Sequence, residues 1–155
     1  MMYSWNPGMV IFVLCGSHEH YGIYAGNDEV IHFAPLNRFG KECIHKVSLQ
    51  EFLSPNTVSE CYVKHFPENR KQFELMLKQK KMNSGAIARL LNEFDTSKYR
   101  FFSDAETLQR AEECMYNPKW SYSLFGENCE HFVVWCKIGI EYSHQVERFF
   151  NVLIG

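Results

Sequence analysis

Apolar residues in the first 66 positions come in short β-rich runs, a pattern that is typical of strands. PGMVIFVLC (residues 7–15) predicts a buried strand. HEHYGIYAGNDEVIHFAP (18–35) predicts a β-hairpin, because two β-rich arms flank the turn residues GNDE. KECIHKVSLQEF (41–52) and SECYVKHF (59–66) predict two further strands on either side of a break at Pro55-Asn56.

After Pro67 the apolar residues recur at helical spacing among charges. This pattern predicts helices within 68–81 and 84–94. Ser103 with Glu106 is a capping-box signature for a third helix, whose expected apolar stripe consists of Ala105, Leu108, Ala111 and Met115. A last helix is expected from near Asn128 to Gly139, a good C-terminal stop.

Strands followed by helices indicate an α+β fold, in which an antiparallel sheet packs against helices. The length of 155 residues predicts a single domain, 1–155. Residues 67–98 resemble a helical insert, because they are helical and highly charged between a strand-rich part and the C-terminal part.

Composition narrows the setting in which the chain works. The net charge of −2 gives no global field for nucleic acid, which is therefore not an expected partner. The basic run Lys78–Lys81 is either a solvated helix face or a contact for anionic lipid head groups. We expect a cytoplasmic protein, peripheral at membranes if that contact forms, because no signal peptide or membrane-spanning run is evident. The six cysteines are then expected to be reduced thiols.

Cys129 is the first candidate for chemistry. Asn128 is a favoured N-cap residue, so Cys129 would occupy the first helical turn. The positive end of the helix dipole there lowers a thiol pKa and favours the thiolate. The alternative is a buried structural cysteine, because free cysteine is among the most buried residue types.

A thiolate nucleophile needs a base and a group that orients the base. His20 and His32 are twelve residues apart, so they share one face of the predicted hairpin. A turn near residues 26–28 would make them opposite or diagonal neighbours, so that His32 could hold the ring of His20. The alternative is a pair of partly exposed sheet histidines.

Other histidines and cysteines fit less well. His18 shares the parity of His20 but lies farther along the arm, and Cys15, His18 and His20 are too closely spaced on one strand to converge on a metal. His131 follows Cys129 by two residues on a helix and points away from it. Cys136 lies two turns along and is expected to be a core residue. We therefore expect no metal and no cofactor.

Two separated segments, HYGIYAGNDEVIHFAP and NCEHFVVWCKIG, resemble the lecithin retinol acyltransferase (LRAT)-like family. That family includes the phospholipase A and acyltransferase (H-Ras-like suppressor) proteins and the H-box/NC 2A proteins of some picornaviruses. All belong to the NlpC superfamily of permuted papain-like folds. WNPGMVIFVL, RAEE and CKIGIEYSHQVERF extend the resemblance to roughly 80 to 90 residues in the same order.

The resemblance implies roles for three residues: Cys129 is the nucleophile, His20 the general base and His32 the residue that orients the base. Tyr21 and Asn128 are further candidates for substrate contacts. The implied activity is that of a thiol-dependent acyltransferase or phospholipase A acting on glycerophospholipid esters through an acyl-thioester. The alternative is a catalytically weak or inactive H-box/NC-type protein that keeps the fold and binds a host protein. A cysteine peptidase or amidase of the wider superfamily is the third reading.

Overall fold

Five antiparallel strands form one sheet in the order β4-β3-β2-β1-β5. The computed structural model describes residues 4–37, 40–96, 100–121 and 129–139. The strands are β1 (Val10–Cys15), β2 (His18–Gly26), β3 (Glu29–Pro35), β4 (Glu42–Ser48) and β5 (Cys61–Val63). The helices are α1 (Leu49–Leu53), α2 (Arg70–Gln79), α3 (Ser84–Thr96), α4 (Asp104–Cys114) and α5 (Cys129–Ile138). This arrangement confirms the predicted α+β fold.

The hairpin of β2 and β3 turns where the sequence predicts. Asn27 and Asp28 both have positive φ, at 51° and 57°, as a two-residue hairpin turn requires. A register shift between Tyr24 and Gly26 then sets the pairs Tyr24–Val30 and Gly22–His32. His20 therefore lies diagonally across from His32 on the same face of the sheet, as expected. The expectation assumed two regular strands, but with the two-residue turn it is the register shift that brings both histidines to one face.

The two faces of the sheet carry different layers. α5 packs on β2 and β3, and α4 packs on β2 and α5. On this face Tyr21 and Ile23 join the main core with Phe132. α1 packs on β3 and β4. There Phe52 joins a second core whose sheet residues are Ile11, Val13, Tyr24, Val30 and Cys61.

Two predicted strands are shorter than the sequence pattern indicated. Residues 49–52, expected to continue a strand, lie in α1, because the Ser48 hydroxyl accepts a hydrogen bond from Glu51 N (3.1 Å) and caps the helix. Of 59–66, only Cys61–Val63 pairs with the sheet, at its edge.

The capping box of α4 is present, since Ser103 and Glu106 bond each other's backbone N–H groups. The predicted apolar stripe is only partly correct. Ala111 is buried, but Ala105 is exposed, and Thr107 and Cys114 complete the buried face. Thr107 tolerates burial because its hydroxyl donates to Ser103 O (2.7 Å).

The helices predicted between 67 and 98 are present as α2 and α3. Their buried residues, Phe73, Leu77, Ile87 and Leu91, belong to the same core as α5. The description of this stretch as an insert remains a prediction. Within the described ranges, none of the helices is both long and apolar enough to cross a membrane.

Candidate active site

Helix α5 begins at Cys129 and ends at Ile138, and Gly139 follows with φ of 86°, as a glycine stop predicts. Phe132, Val133 and Val134 are fully buried and hold the helix against the sheet. The helix therefore presents Cys129 at its first turn. Asn128, the predicted N-cap and candidate substrate contact, lies outside the described residues.

The C-terminal end of α5 is held by two cations. Arg110 of α4 donates to Trp135 O (2.7 Å), which also accepts from Gly139 N–H (2.9 Å), and to Cys136 O (3.1 Å), both carbonyls near the end of the helix. Its guanidinium also stacks on the rings of Phe102 and Trp135. Lys137 is buried and pairs with Asp104 at the start of α4 (3.2 Å). These contacts fix the helix end that is remote from Cys129.

The Cys129 thiol lies beside the main chain of His20. Its Sγ accepts a hydrogen bond from Tyr21 N (3.3 Å) and faces Glu19 O at 3.8 Å. Along a strand, successive N–H groups point alternately to the two neighbouring strands. Tyr24 N–H donates to Met9 O on the β1 side, so the N–H of Tyr21, three residues earlier, points towards β3. The β2–β3 pairing extends only to Gly22–His32. The Cys129 sulfur thus accepts the hydrogen bond from Tyr21 N–H that a carbonyl of β3 would accept if the pairing of β2 and β3 continued.

Burial raises the pKa of the Cys129 thiol to about 11. The hydrogen bonds from Tyr21 N–H and from the backbone N–H of Cys129 itself act in the opposite direction but are weaker. The expected lowering of this pKa at the helix start is therefore wrong for the arrangement in the structure. Desolvation of a charged sulfur outweighs the favourable N–H groups.

The two predicted histidines are in contact. His20 Nε2 lies 2.9 Å from His32 Nδ1, and the ring of Phe52 covers both imidazoles. Burial lowers the pKa of His20 to about 4, with a smaller contribution from nearby His18. Burial also lowers the pKa of His32 to about 3, with smaller effects from His20 and His45. Both rings are therefore neutral at pH 7.

His45 is a third member that the sequence analysis missed. It pairs with His32 across β3 and β4, and the ring centroids are 4.8 Å apart. The residue is buried, with 3% of its surface exposed. Its strand was predicted, but the register that brings it to His32 depends on the connection between β3 and β4. No local sequence signal reports that register.

The structure brings His20 and His32 together but does not join the thiol to either ring. Both imidazoles face Phe52, whereas Cys129 belongs to the core on the opposite face of the sheet. Among the described residues, no hydrogen bond links Cys129 Sγ to the His20 imidazole. The Tyr21 ring, a candidate substrate contact, is fully buried, and its hydroxyl bonds Glu19.

The remaining candidates lie outside this cluster. His18 is exposed near the β1–β2 turn, His131 is buried on α5, and Cys136 is fully buried in the core. All six cysteines are free thiols. Within the parts of the chain that the structure describes, no group of three or more His, Cys, Asp or Glu side chains could hold a metal ion.

Comparison with known proteins gives one family. The family model for lecithin retinol acyltransferase matches residues 4–142. Lecithin retinol acyltransferase of Rattus norvegicus is 31% identical over 151 residues, covering 94% of this chain and 60% of the relative. The Mus musculus protein of the same name is 30% identical over 155 residues, covering 97% of this chain and 62% of the relative.

Phospholipase A and acyltransferase 1 of Rattus norvegicus is 27% identical over 143 residues, covering 92% of this chain and 74% of the relative. The chain thus spans about three fifths of the length of the lecithin retinol acyltransferases that it matches. The family model extends from β1 through α5 and includes His20, His32 and Cys129. By this match, the chain belongs to the lecithin retinol acyltransferase family.

Proposed function

We propose that this protein transfers acyl groups from glycerophospholipid esters through an acyl-thioester on Cys129, acting as an acyltransferase or a phospholipase A. The observation that carries the proposal is the position of Cys129 Sγ against the two residues that flank His20, while His20 is bonded to His32. The names of the relatives, an acyltransferase and a phospholipase A and acyltransferase, support the same chemistry.

The resting structure joins the Cys129 thiol to neither imidazole, so the first half-reaction begins with a shift of Cys129 that brings its Sγ to Nδ1 of His20. Nδ1 then takes the thiol proton, and the thiolate attacks the ester carbonyl carbon. A carbon–sulfur bond forms, and the carbonyl electron pair moves to oxygen, where the backbone N–H of Cys129 stabilises the charge. When the carbonyl re-forms, the carbon–oxygen bond to the glycerol breaks. The departing alkoxide takes the proton back from His20, leaving a lysophospholipid and the acyl-enzyme.

The second half-reaction decides between hydrolase and transferase. Water, an alcohol or an amine gives a proton to His20 and attacks the thioester carbon. The carbon–sulfur bond then breaks, the acyl group leaves on the acceptor, and the thiolate regains its proton. His32 holds the His20 ring in both steps.

The test is incubation of the full chain with mixed phospholipid vesicles, followed by intact mass measurement. We expect an adduct with the mass of one acyl chain that neutral hydroxylamine removes. Cys129→Ala should form none, and Cys15→Ala, which changes a half-buried thiol on β1, should behave as wild type. Full acyl release by Cys129→Ala would disprove the mechanism.

We further propose that α2 and the run Lys78–Lys81 contact the surface of an anionic membrane. Lys78 and Lys80 are exposed, and Leu75 exposes 49% of its surface on the same helix. Charge reversal of Lys78, Lys80 and Lys81 to Glu should abolish sedimentation with phosphatidylserine vesicles. Lys41→Glu is the control at an exposed lysine elsewhere, and unchanged sedimentation of the triple variant would refute the contact.

A second candidate function is that of a binding protein that keeps the fold, with a host protein as partner. The buried thiol, whose pKa is raised to about 11 and which has no bond to an imidazole of the described residues, favours this alternative. Under it, the surface of residues 67–98 would bind the partner. It predicts that no acyl-enzyme forms and that lipid vesicles leave the alkylation rate of Cys129 unchanged.

A further inference from the structure

Three imidazoles cross three neighbouring strands in one row. His20 on β2 contacts His32 on β3, and His32 contacts His45 on β4. Their ring planes are inclined at 68° and 61°, so each contact is edge to face. Only the first contact is a hydrogen bond between ring nitrogens. The second contact therefore needs its own explanation.

One ring nitrogen in this row of histidines, Nε2 of His32, lacks an obvious hydrogen-bond partner. This atom is buried and has no hydrogen-bond partner among the described residues. Nδ1 of the same ring is engaged by His20 from the β2 side. The two nitrogens of an imidazole lie on different edges of the ring, so Nε2 is not on the edge that meets His20, and the neighbouring ring on the β4 side is that of His45. A buried polar atom in this state is costly, so its chemical form matters.

The protonation of His45 is fixed by its backbone contact. Its Nδ1 lies 3.1 Å from Cys43 O and 3.6 Å from Cys43 Sγ. A carbonyl oxygen only accepts hydrogen bonds, whereas a thiol is both a weak donor and a weak acceptor, so the carbonyl decides which group donates. Nδ1 of His45 therefore carries a proton. The face of that ring is electron-rich, so it attracts an N–H edge and repels a lone pair.

We propose that His45 is a positioning residue that keeps the proton of His32 on Nε2. Nδ1 of His32 then accepts a hydrogen bond from Nε2–H of His20, and Nδ1 of His20 keeps the free lone pair. The opposite proton arrangement would aim a buried lone pair of His32 at the His45 ring. The catalytic consequence rests on the proposed function, because Nδ1 of His20 is the atom that takes the thiol proton. The proton positions on the three rings do not depend on the proposed function.

The test is long-range ¹H–¹⁵N correlation NMR of the histidine-labelled full chain at pH 7, which distinguishes protonated from bare ring nitrogens without any turnover. We expect Nε2–H in both His20 and His32 of the wild type. His45→Leu removes the ring and should move a substantial share of both protons to Nδ1. His45→Phe keeps a ring face and should restore the wild-type pattern. His65→Leu, at an exposed histidine, is the control.

Acyl-enzyme formation gives the second readout. His45→Leu should lower the rate at saturating lipid about 10-fold, a part of the 10²–10⁴-fold worth of general base catalysis, with little change in KM. His45→Phe should recover most of that loss. If the wild type shows the expected proton positions but forms no acyl-enzyme, the result counts against the proposed function and leaves the role of His45 intact. Nδ1–H in wild-type His32, or wild-type proton positions in His45→Leu, would overturn the role of His45.

Discussion

The sulfur of Cys129 lies 3.3 Å from the backbone nitrogen of Tyr21, 108 residues earlier in the chain. The side chain of a helix thereby completes the hydrogen bonding of a strand at the point where β2 and β3 stop pairing. Burial at this position keeps the thiol protonated at pH 7, although the hydrogen bond from Tyr21 N–H by itself lowers the pKa. Its consequences can be measured without knowing the substrate.

Without lipid, Cys129 should react slowly with iodoacetamide. With a pKa of about 11 the native thiolate fraction at pH 7 is about 100-fold below that of an ordinary cysteine, and burial also restricts the reagent. Site-resolved mass spectrometry should give a native rate at least about 100-fold below that in urea. The rate should still rise above pH 9. A native rate equal to or above the unfolded rate would contradict the buried state.

Acid should destabilise the protein through His20 and His32. Their pKa values of about 4 and about 3 lie below that of an unfolded histidine, so the unfolded chain binds more protons between about pH 6.5 and 4. Stability from these two rings is present above pH 6.5 and is lost as the pH falls through that window. We expect the free energy of unfolding in urea to drop by about 2 kcal/mol per pH unit near pH 5.

The slope should become shallower in His32→Phe, which removes one of the two buried imidazoles. His65→Phe, at an exposed histidine, should leave the slope unchanged. Equal slopes in wild type and His32→Phe would mean that His32 titrates as freely in the native state as in the unfolded chain.

Arg110 should resist replacement by lysine. Its planar guanidinium donates hydrogen bonds to two carbonyls and stacks on two aromatic rings. The compact ammonium group of a lysine lacks this planar shape and cannot make all four contacts. Arg110→Lys should lower the free energy of unfolding by about 1.5–3 kcal/mol, the range for hydrogen bonds to charged groups. Arg100→Lys is the matched control, because Arg100 pairs with Glu106 in solvent and should change stability by less than about 1 kcal/mol. Similar losses in both variants would refute the anchoring role of Arg110.

Gly22 should not tolerate a side chain. A Cβ there would lie 2.6 Å from Val30 Cγ1 and 2.8 Å from Phe52 Cε1, the ring that covers His20 and His32. Gly22→Ala should cost about 1–3 kcal/mol of unfolding free energy, as overpacking of a core does. In the exposed first turn of α3, Gly85→Ala should be neutral or stabilising. Addition of Phe52→Leu should recover part of the Gly22→Ala loss.

Local chemistry accounts for what the sequence could predict. Asn27 and Asp28 tolerate positive φ and close the hairpin at the predicted place. The shared face of His20 and His32 also depends on the register shift between Tyr24 and Gly26, which the spacing of the two histidines does not predict. Ser103 and Glu106 close a capping box within three residues, and Gly139 ends α5. Each of these predictions needs only a short stretch of chain.

The missed features depend on contacts between distant segments. His45 reaches His32 only through the register of β3 and β4, and the Cys129 pKa depends on burial against β2. The short helix α1 is different, because Ser48 and Glu51 carried a local capping signal that β-rich neighbours obscured. Burial of Thr107 in place of Ala105 reflects how α4 lies against its neighbours, which propensity does not encode.

Helix α5 is held at its C-terminal end, so a tilt of the helix moves its N-terminal end, where the Cys129 sulfur lies, the most. Arg110 and Lys137 hold the last turn, whereas Cys129 lies about 12 Å away, eight residues before Lys137. A tilt of about 5° about the anchored end would therefore displace the sulfur by about 1 Å, a misplacement that can change an enzymatic rate by about 10²-fold. Small changes in the hydrogen bonds of Arg110 would thus produce larger displacements of the Cys129 sulfur.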